Sequence, residues 1–311
     1  MIDMPRNVFI STSSFGDFSD EPLKLLRSEG FEVTLNPHKR KLNDAEVIEL
    51  LKDVEGVIAG TENYSEEVLA QLDNLRGISR VGVGVDNIDF NVTTRRNIKV
   101  VATKTDLSLS VAELALALMF DLSRKLTRHN NLIAAGKWSK NIGKLLTGKK
   151  LGVIGLGKIG KTLVQLTRGL NMSYIAYDEY EDREFAEAYG VTYVAIEELL
   201  KQAEIVSIHL KYDSKLMNYI SADKLSLLQK DAILVNTSRG ELIDEEALYE
   251  ALKANNLAGA GLDVFKEEPY SGKLRELPNV VLTPHIGSFV KEIRSDMEME
   301  AVKNFIELMK Y

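Results

Sequence analysis

Short apolar runs alternate along the chain with longer segments in which apolar and polar residues recur at helical spacing. The apolar runs are continuous, which is typical of strands that are buried on both faces of a parallel sheet. Strands and helices that alternate in this way predict parallel sheets covered by helices on both faces. The alternation occurs in two series, separated by a long apolar segment, and therefore predicts two α/β units.

The first series predicts strands at 7–11, 32–35, 56–60 and 77–81, and helices at 22–29, 44–51 and 65–72, with Asn43 capping the second helix. The second series predicts strands at 150–154, 173–177, 205–208, 232–236, 259–263 and 280–283, and helices at 159–170, 183–189, 196–202, 223–228, 244–254 and 290–310. A helix at 108–123 separates the two series. Because it has few polar positions, we expect it to be buried between other elements rather than to lie on a surface.

The length of 311 residues fits two domains of about 150 residues each. The formal net charge of −7 argues against a nucleic-acid partner, whose phosphate backbone requires concentrated Lys and Arg. The most apolar helical stretch, 111–120, is shorter than the roughly 20 residues of a membrane span. Residues 1–14 lack the basic start and long apolar stretch of a signal peptide. We therefore expect a cytoplasmic protein that binds neither nucleic acid nor membrane.

The chain contains no cysteine and four histidines. The lack of cysteine excludes disulfides, thiolate metal ligands, iron–sulfur clusters and cysteine nucleophiles. With so few histidines a His-rich metal centre is not expected either, and no residue is assigned to a metal.

A Gly-x-Gly-x-x-Gly run directly follows the first strand of the second series and opens the next predicted helix. This context is the one that a dinucleotide-binding turn requires. Gly155 would permit the tight turn, Gly157 would let the backbone approach a pyrophosphate, and Gly160 would let the helix pack closely on the sheet. Lys158 and Ile159, which lie within the run, are assigned to the same cofactor site.

Asp178 follows the next predicted strand. A carboxylate at this position can accept hydrogen bonds from both hydroxyl groups of the adenosine ribose, and it repels a 2′-phosphate. The first arginine after it is Arg183. The glycine run and this carboxylate together predict NAD rather than NADP as the cofactor.

Three further polar segments, which contain Arg239, Glu268 and His285, each begin just beyond a predicted strand of the second series. Ligands of parallel sheets bind at the carboxyl ends of the strands, so we expect these side chains to converge there. A histidine can donate a proton to a carbonyl oxygen that receives a hydride, and a neighbouring carboxylate favours the imidazolium form. An arginine offers a rigid fork for a substrate carboxylate. The combination predicts reduction of a 2-oxo acid.

With these motifs the sequence resembles the D-isomer-specific 2-hydroxyacid dehydrogenases, a family that includes phosphoglycerate dehydrogenase, D-lactate dehydrogenase, and hydroxypyruvate and glyoxylate reductases. The resemblance runs from about residue 75 to residue 288, and its most specific pieces are 80–89, 155–160, 236–240, 263–269 and 284–285. It implies an α/β fold of two Rossmann-like, doubly wound parallel-sheet domains. The NAD-binding domain, 101–287, is expected to be inserted into a substrate-binding domain formed by 1–100 and 288–311.

The resemblance also implies roles for individual residues. His285 matches the catalytic acid/base, Glu268 matches the glutamate paired to it, and Arg239 matches the catalytic arginine that binds the substrate. Backbone amides around Val83 and Gly84 match the loop that grips the substrate carboxylate. His285, like Arg239, is thereby expected to contact the substrate as well as to catalyse its reduction.

Asp263 matches the aspartate near the nicotinamide carboxamide, and Thr237 is assigned to the cofactor as well. Arg80 is assigned to the substrate, where it could hold a phosphate together with Lys104. The best single substrate prediction is therefore the pair 3-phosphoglycerate and 3-phosphohydroxypyruvate. Reduction of hydroxypyruvate, glyoxylate or another 2-oxo acid stays open as an alternative, and so does an NAD(H)-sensing, corepressor-like binding protein.

Trp138 lies in the segment through which members of this family typically dimerise, so a homodimer through the NAD-binding domain is expected. Two places depart from the family pattern. Residues 102–108 replace the usual Asn-x-Pro-x-x-Asn segment, and Lys211 stands where a His-x-Pro motif has its proline. The sequence ends at Tyr311, soon after the last predicted helix, so the appended regulatory domain of some phosphoglycerate dehydrogenases is not expected.

Overall fold

The computed structural model describes residues 6–310, which form two compact units. The first unit comprises the residues up to Asp106 and those from Val290 onward, and the second comprises Leu107–Phe289. The second unit is therefore one continuous segment inserted into the first. The sequence places the two boundaries slightly earlier, at 100/101 and 287/288. Residues 1–5 and 311 of the predicted first domain lie outside the described residues.

Twelve strands are found in residues 6–310: β1 (Arg6–Ile10), β2 (Phe31–Leu35), β3 (Gly56–Ala59), β4 (Gly77–Arg80), β5 (Lys99–Ala102), β6 (Lys150–Ile154), β7 (Ser173–Tyr177), β8 (Val191–Tyr193), β9 (Ile205–Ile208), β10 (Ile233–Asn236), β11 (Gly259–Leu262) and β12 (Val280–Leu282). The same residues form twelve α-helices: α1 (Glu21–Ser28), α2 (Asp44–Leu51), α3 (Glu66–Leu69), α4 (Phe90–Arg95), α5 (Ser108–Arg124), α6 (Leu126–Ala134), α7 (Lys158–Thr167), α8 (Arg183–Tyr189), α9 (Ile196–Gln202), α10 (Ala222–Leu225), α11 (Glu245–Lys253) and α12 (Lys291–Leu308). Within these residues no helix is long and apolar enough to cross a membrane.

Each unit contains one parallel sheet. The sheet of the first unit has the order β2-β1-β3-β4-β5, so the direction of winding reverses between β1 and β3. The sheet of the second unit has the order β12-β11-β10-β9-β6-β7-β8, and its winding reverses between β6 and β9. All strand pairs are parallel. The predicted pair of Rossmann-like, doubly wound sheets is confirmed.

The central strands are buried because alternate residues of each strand enter apolar clusters on opposite faces of the sheet. In the second unit Leu151 and Val153 of β6 belong to one cluster, whereas Ile154 belongs to the other. In β10, Val235 belongs to the same cluster as Leu151, whereas Leu234 belongs to the same cluster as Ile154. Such strands need apolar residues on both faces, and the sequence shows them as short, largely apolar runs.

Helix starts follow from local polar chemistry. Asn43 accepts a hydrogen bond of 3.0 Å from the backbone N–H of Glu46, and the Glu46 carboxylate accepts one of 3.0 Å from the backbone N–H of Asn43. This reciprocal capping box fixes the start of α2 where the sequence predicts it. The side chains of Asp182 and Asp244 likewise cap α8 and α11.

The sequence pattern misses α4, β5, α6 and β8, and it overestimates the burial of α5. The side chains of α5 pack towards α7, β10 and β11 on one side, but Leu109 and Phe120 are exposed. The expectation that α5 is enclosed by other elements is therefore wrong. Helix α6 buries none of its residues, so it has no apolar stripe that a pattern could reveal.

Candidate active site

The residues that the sequence selects in the second unit lie at the carboxyl edge of its sheet. Each follows directly, or within a short loop, the strand that precedes it: Gly155 after β6, Asp178 after β7, Thr237 and Arg239 after β10, Asp263 and Glu268 after β11, and His285 after β12. In a parallel sheet these strand ends share one edge. The convergence of the predicted residues on this edge follows from the topology.

The glycine loop is built so tightly that side chains would not fit at its two ends. Gly155 has φ of 94°, and a Cβ atom there would lie 2.7 Å from the carbonyl carbon of His209. A Cβ atom at Gly160 would overlap the carbonyl oxygen of Gly155. Gly157, which caps the N-terminus of α7, is different, because no described atom lies within 4 Å of the place where its Cβ would be. The loop therefore leaves open space at a helix N-terminus, which is where a pyrophosphate binds.

Asp178 is held beside this loop by two backbone hydrogen bonds. One carboxylate oxygen accepts from the N–H of Leu156 at 2.7 Å, and the other accepts from the N–H of Tyr180 at 3.0 Å. A carboxylate offers about four lone-pair sites, so these two bonds leave acceptors for ribose hydroxyl groups. Within the glycine run Lys158 is exposed, and Ile159 is half-buried against an apolar cluster of its unit.

His285 and Glu268 form a hydrogen-bonded pair. The Nδ1 atom of His285 lies 2.9 Å from one carboxylate oxygen of Glu268 and 3.1 Å from the other. Both side chains are half-buried. The Nε2 atom of His285 has no hydrogen-bond partner among residues 6–310, so the ring is oriented through one nitrogen and can act through the other.

The turn that carries His285 is held by Asp263. The carboxylate of Asp263 accepts hydrogen bonds from the backbone N–H groups of Ile286 and Gly287, both at 2.8 Å, and from the hydroxyl group of Thr283 at 2.6 Å. Burial raises the pKa of Asp263, and these donors oppose that rise. His285 itself has φ of 55°, which a non-glycine residue adopts only when its surroundings hold it there.

Arg239 is presented by a turn that Asn236 organises. The Asn236 side chain accepts from the N–H of Ser238 at 3.0 Å and donates to the carbonyl oxygen of Arg239 at 2.8 Å. The Arg239 guanidinium donates to the carbonyl oxygen of Ser238 at 2.7 Å. A Cβ atom at the next residue, Gly240, would overlap the backbone of Phe265. The turn after β10 thus lies directly against the segment that leads to Glu268.

Arg80, Val83 and Gly84 belong to the first unit, where they lie at the carboxyl end of β4. They therefore belong to a different unit from the residues at the carboxyl edge of the second sheet. Arg80 is only 8% exposed, and its guanidinium donates to the carbonyl oxygen of Val81. Lys104 is exposed, and its backbone N–H donates to the Glu300 carboxylate at 2.8 Å.

The loop after β4 contains three consecutive backbone donors, and the sequence resemblance assigns those around Val83 and Gly84 to substrate binding. The N–H groups of Val83, Gly84 and Val85 donate no hydrogen bond to any of the residues 6–310. Successive unpaired N–H groups of this kind form a concave anion-binding site. The loop is therefore suited to bind a carboxylate, as the resemblance predicts for Val83 and Gly84.

Known proteins resemble this chain over most of its length. The family model described as D-isomer specific 2-hydroxyacid dehydrogenase, NAD binding domain, matches residues 116–287. Glyoxylate reductase of Thermococcus litoralis is 37% identical over 275 residues, which are 85% of this chain and 83% of that protein. D-3-phosphoglycerate dehydrogenase of Archaeoglobus fulgidus is 34% identical over 94% of this chain, but this chain spans only 56% of its length. A crystal structure of phosphoglycerate oxidoreductase from Vibrio cholerae superimposes with a TM-score of 0.87, at 27% identity, and covers 98% of both chains.

The chain belongs to the D-isomer-specific 2-hydroxyacid dehydrogenase family. The predicted family is thereby confirmed, and so is the predicted enzyme class, an NAD-dependent D-2-hydroxyacid dehydrogenase. The alternative of an NAD(H)-sensing binding protein receives no support, because the relatives named above carry the names of enzymes. The names of the relatives divide between glyoxylate and 3-phosphoglycerate, so they settle the class of reaction and not the substrate.

The residues of this dehydrogenase fit its cofactor, NAD. The open space at Gly157 lies at the start of α7, and the Asp178 carboxylate keeps acceptor sites that are suited to ribose hydroxyl groups. At the end of β10 the hydroxyl oxygen of Thr237 is buried and has no hydrogen-bond partner among the described residues. A buried polar atom without a partner is costly, so this hydroxyl group is suited to a bond with a bound ligand.

The dehydrogenase also contains a histidine, His209, that the sequence analysis does not assign to the site. Its Nε2 atom lies 2.8 Å from the hydroxyl oxygen of Ser207, and burial lowers its pKa to about 4. The backbone of His209 meets Gly155 at the point where the sheet reverses its winding. We therefore interpret His209 as a structural residue whose backbone limits the space at Gly155, and not as a residue that transfers a proton.

Proposed function

We propose that this dehydrogenase reduces a short, unphosphorylated 2-oxo acid, such as glyoxylate or hydroxypyruvate, to the 2-hydroxy acid, with His285 as the proton donor. The hydrogen-bonded pair of His285 and Glu268 at the carboxyl edge of the second sheet carries this proposal. It combines a titratable ring with an anionic partner at the edge where the glycine loop also lies. This is the arrangement that a carbonyl reduction by hydride needs.

NADH supplies the hydride when it is bound. The Nε2–H of His285 donates its proton to the carbonyl oxygen as negative charge develops there, and the Glu268 carboxylate stabilises the imidazolium that precedes the transfer. The Arg239 guanidinium binds the substrate carboxylate and polarises the carbonyl group. The reaction consumes one 2-oxo acid, one NADH and one proton, and it forms one 2-hydroxy acid and one NAD⁺.

The proposal also gives the loop after β4 a role in substrate binding. The unpaired N–H groups of Val83 and Gly84 bind the substrate carboxylate, which an anion-binding loop can do without a charged side chain. The same N–H groups would serve any 2-oxo acid, because every member of that class carries the carboxylate. They therefore define the class of substrate but not its side group.

The choice of an unphosphorylated substrate rests on Arg80. From the sequence, Arg80 and Lys104 favour a phosphorylated substrate, because both are cations near the predicted site. The buried guanidinium of Arg80 instead donates to a backbone carbonyl group of its own unit. The exposed Lys104 is then the one remaining candidate of the pair, and a single solvated lysine is a weak basis for phosphate selectivity.

Steady-state rates of NADH oxidation with a panel of acids test this proposal. We expect kcat/KM for glyoxylate or hydroxypyruvate to exceed that for 3-phosphohydroxypyruvate by at least about tenfold, since an unmatched phosphate must be desolvated without a partner. Pyruvate and a branched 2-oxo acid complete the panel. A clear preference for 3-phosphohydroxypyruvate would contradict the proposed substrate and restore the phosphorylated one.

The enzyme is further proposed to be a homodimer through its NAD-binding unit. In and just after α6 this unit exposes large apolar side chains: Trp138 is 86% exposed and Ile142 is 91% exposed, and Leu126, Ile133 and Leu145 are exposed as well. Apolar surface of this extent is typical of a protein–protein interface. Sedimentation equilibrium at micromolar concentration is expected to give twice the mass of the chain, and a monomer mass would contradict the dimer.

A further inference from the structure

We propose that Arg80 is a positioning residue and not a ligand of the substrate. It supports the bend at Val81 and Gly82 from which the anion-binding loop of the first unit, residues 83–85, continues. The proposal deepens the proposed function and rests on it, because the loop of Val83 and Gly84 is taken there to bind the substrate carboxylate. What Arg80 contributes is the shape of that loop, and this contribution is the same for every 2-oxo acid.

The guanidinium of Arg80 lies directly against the start of the loop. It donates a hydrogen bond to the carbonyl oxygen of Val81, the residue that follows it. A Cβ atom at Gly82 would lie 3.0 Å from the central carbon of the guanidinium. Gly82 has φ of 140°, a conformation that side chains rarely adopt. The side chain of Arg80 therefore packs against Val81 and Gly82, the two residues that come just before the three unpaired N–H groups.

The loop is fixed on both sides of this bend. On one side the N–H of Gly82 donates to the buried hydroxyl oxygen of Thr103 at 3.0 Å. On the other side the side chain of Asn87 donates to the carbonyl oxygen of Glu62 at 2.6 Å, and the N–H of Tyr64 donates to the carbonyl oxygen of Asn87 at 2.8 Å. The loops after β3 and β4 are thereby joined into one structure.

Glu62 is a buried acid whose electrostatic environment includes Arg80. It is 1% exposed, and it accepts hydrogen bonds from the N–H of Gly60 at 2.7 Å, from the hydroxyl group of Tyr64 at 3.3 Å and from the hydroxyl group of Ser11. Burial raises the pKa of Glu62, and the Gly60 N–H and the charge of Arg80 oppose that rise. Arg80 is always charged, and Glu62 is held by three donors. Side chains held in this way are suited to a rigid support for the loop.

Two roles for Arg80 lead to different kinetics. A phosphate ligand would affect the phosphorylated substrate and leave glyoxylate unchanged. A residue that shapes the carboxylate loop affects all 2-oxo acids equally, raises KM more than it lowers kcat, and leaves the binding of NADH unchanged. A binding group that is misplaced by about 1 Å lowers kcat/KM by about tenfold to a hundredfold.

The experiment measures KM and kcat of the full-length enzyme for glyoxylate and 3-phosphohydroxypyruvate, together with the Kd for NADH. In Arg80→Met we expect KM to rise about tenfold or more for both acids by the same factor, with the Kd for NADH within about twofold of wild type. Arg80→Lys, which keeps the cation and one donor for the Val81 carbonyl oxygen, is expected to recover part of the loss. Arg96→Met is the matched control, because Arg96 also donates to backbone carbonyl groups in this unit, at Leu72 among others, but away from the loop.

Thr103→Val provides a second test should Arg80→Met fail to fold. It removes the side-chain acceptor of the Gly82 N–H, leaving only the carbonyl oxygen of Arg80 at 3.1 Å, and is expected to raise KM for both acids in parallel. An increase confined to 3-phosphohydroxypyruvate would overturn the inference and make Arg80 a phosphate ligand. An unchanged KM in Arg80→Met or in Thr103→Val would overturn it as well. A wild-type enzyme that reduces none of the 2-oxo acids would instead contradict the proposed function itself.

Discussion

Replacement of His285 by Ala is expected to lower kcat for hydroxypyruvate reduction by about a thousandfold, because a positioned proton donor contributes a factor of about 100 to 10,000. The ring is held through Nδ1 by Glu268, and its Nε2 atom has no hydrogen-bond partner among residues 6–310. Loss of the ring removes the proton source but no contact of the glycine loop. The Kd for NADH, measured by fluorescence titration, should therefore stay close to the wild-type value.

His38→Gln is the control for this prediction, since His38 is a histidine of the first unit that lies on the surface. Its kcat should match that of the wild type. Glu268→Gln should have an intermediate effect, because an amide oxygen can still accept from Nδ1–H but carries no charge to stabilise the imidazolium. If His285→Ala kept kcat within about tenfold of wild type, His285 would not be the proton donor.

Gly157→Ala is expected to weaken NADH binding by at least about tenfold without loss of stability. The methyl group has room in the protein, because no described atom lies within 4 Å of its position, and the backbone at Gly157 is extended rather than left-handed. The open space is, however, the place where a pyrophosphate would approach the N-terminus of α7. The methyl group of the Gly157→Ala variant would occupy this space, so a pyrophosphate could no longer approach the backbone closely and would lose its contacts with the loop.

The control for this variant is Gly169→Ala, in the same unit and likewise with no described atom within 4 Å. Both variants should unfold at the wild-type temperature in a thermal melt, and only Gly157→Ala should bind NADH weakly in a calorimetric titration. Equal affinity of Gly157→Ala and wild type would mean that the pyrophosphate does not lie at this loop. A lower melting temperature would mean that the space is not open.

Much of the fold follows from the sequence because the buried parallel strands form short, largely apolar runs. The strands at 150–154, 173–177 and 205–208 have the predicted bounds for this reason. The site residues of the second unit are predictable for a related reason. Once strands are parallel, the residues after them share one edge, and Asp178, Arg239 and His285 all follow strands.

Other features depend on contacts that no local pattern encodes. Strand β8 has only three residues at the edge of its sheet, and α6 buries none of its side chains, so neither produces a periodic apolar signal. The direction of the Arg80 side chain depends on its contacts with the backbone of Val81 and Gly82. The role of Asp263 in holding the His285 turn depends on backbone N–H groups, which have no sequence signature. Among the groups that hold Asp263 in this turn, the Thr283 hydroxyl group is the side-chain donor.

The configuration of the glycerate that the enzyme forms from hydroxypyruvate and NADH tests the central claim most directly. Chiral chromatography of the product of a complete reaction separates the two isomers. We expect D-glycerate alone, formed in amounts equal to the NADH consumed, and about a thousandfold more slowly with His285→Ala. Formation of L-glycerate, of a mixture of isomers, or of no glycerate at all would contradict it.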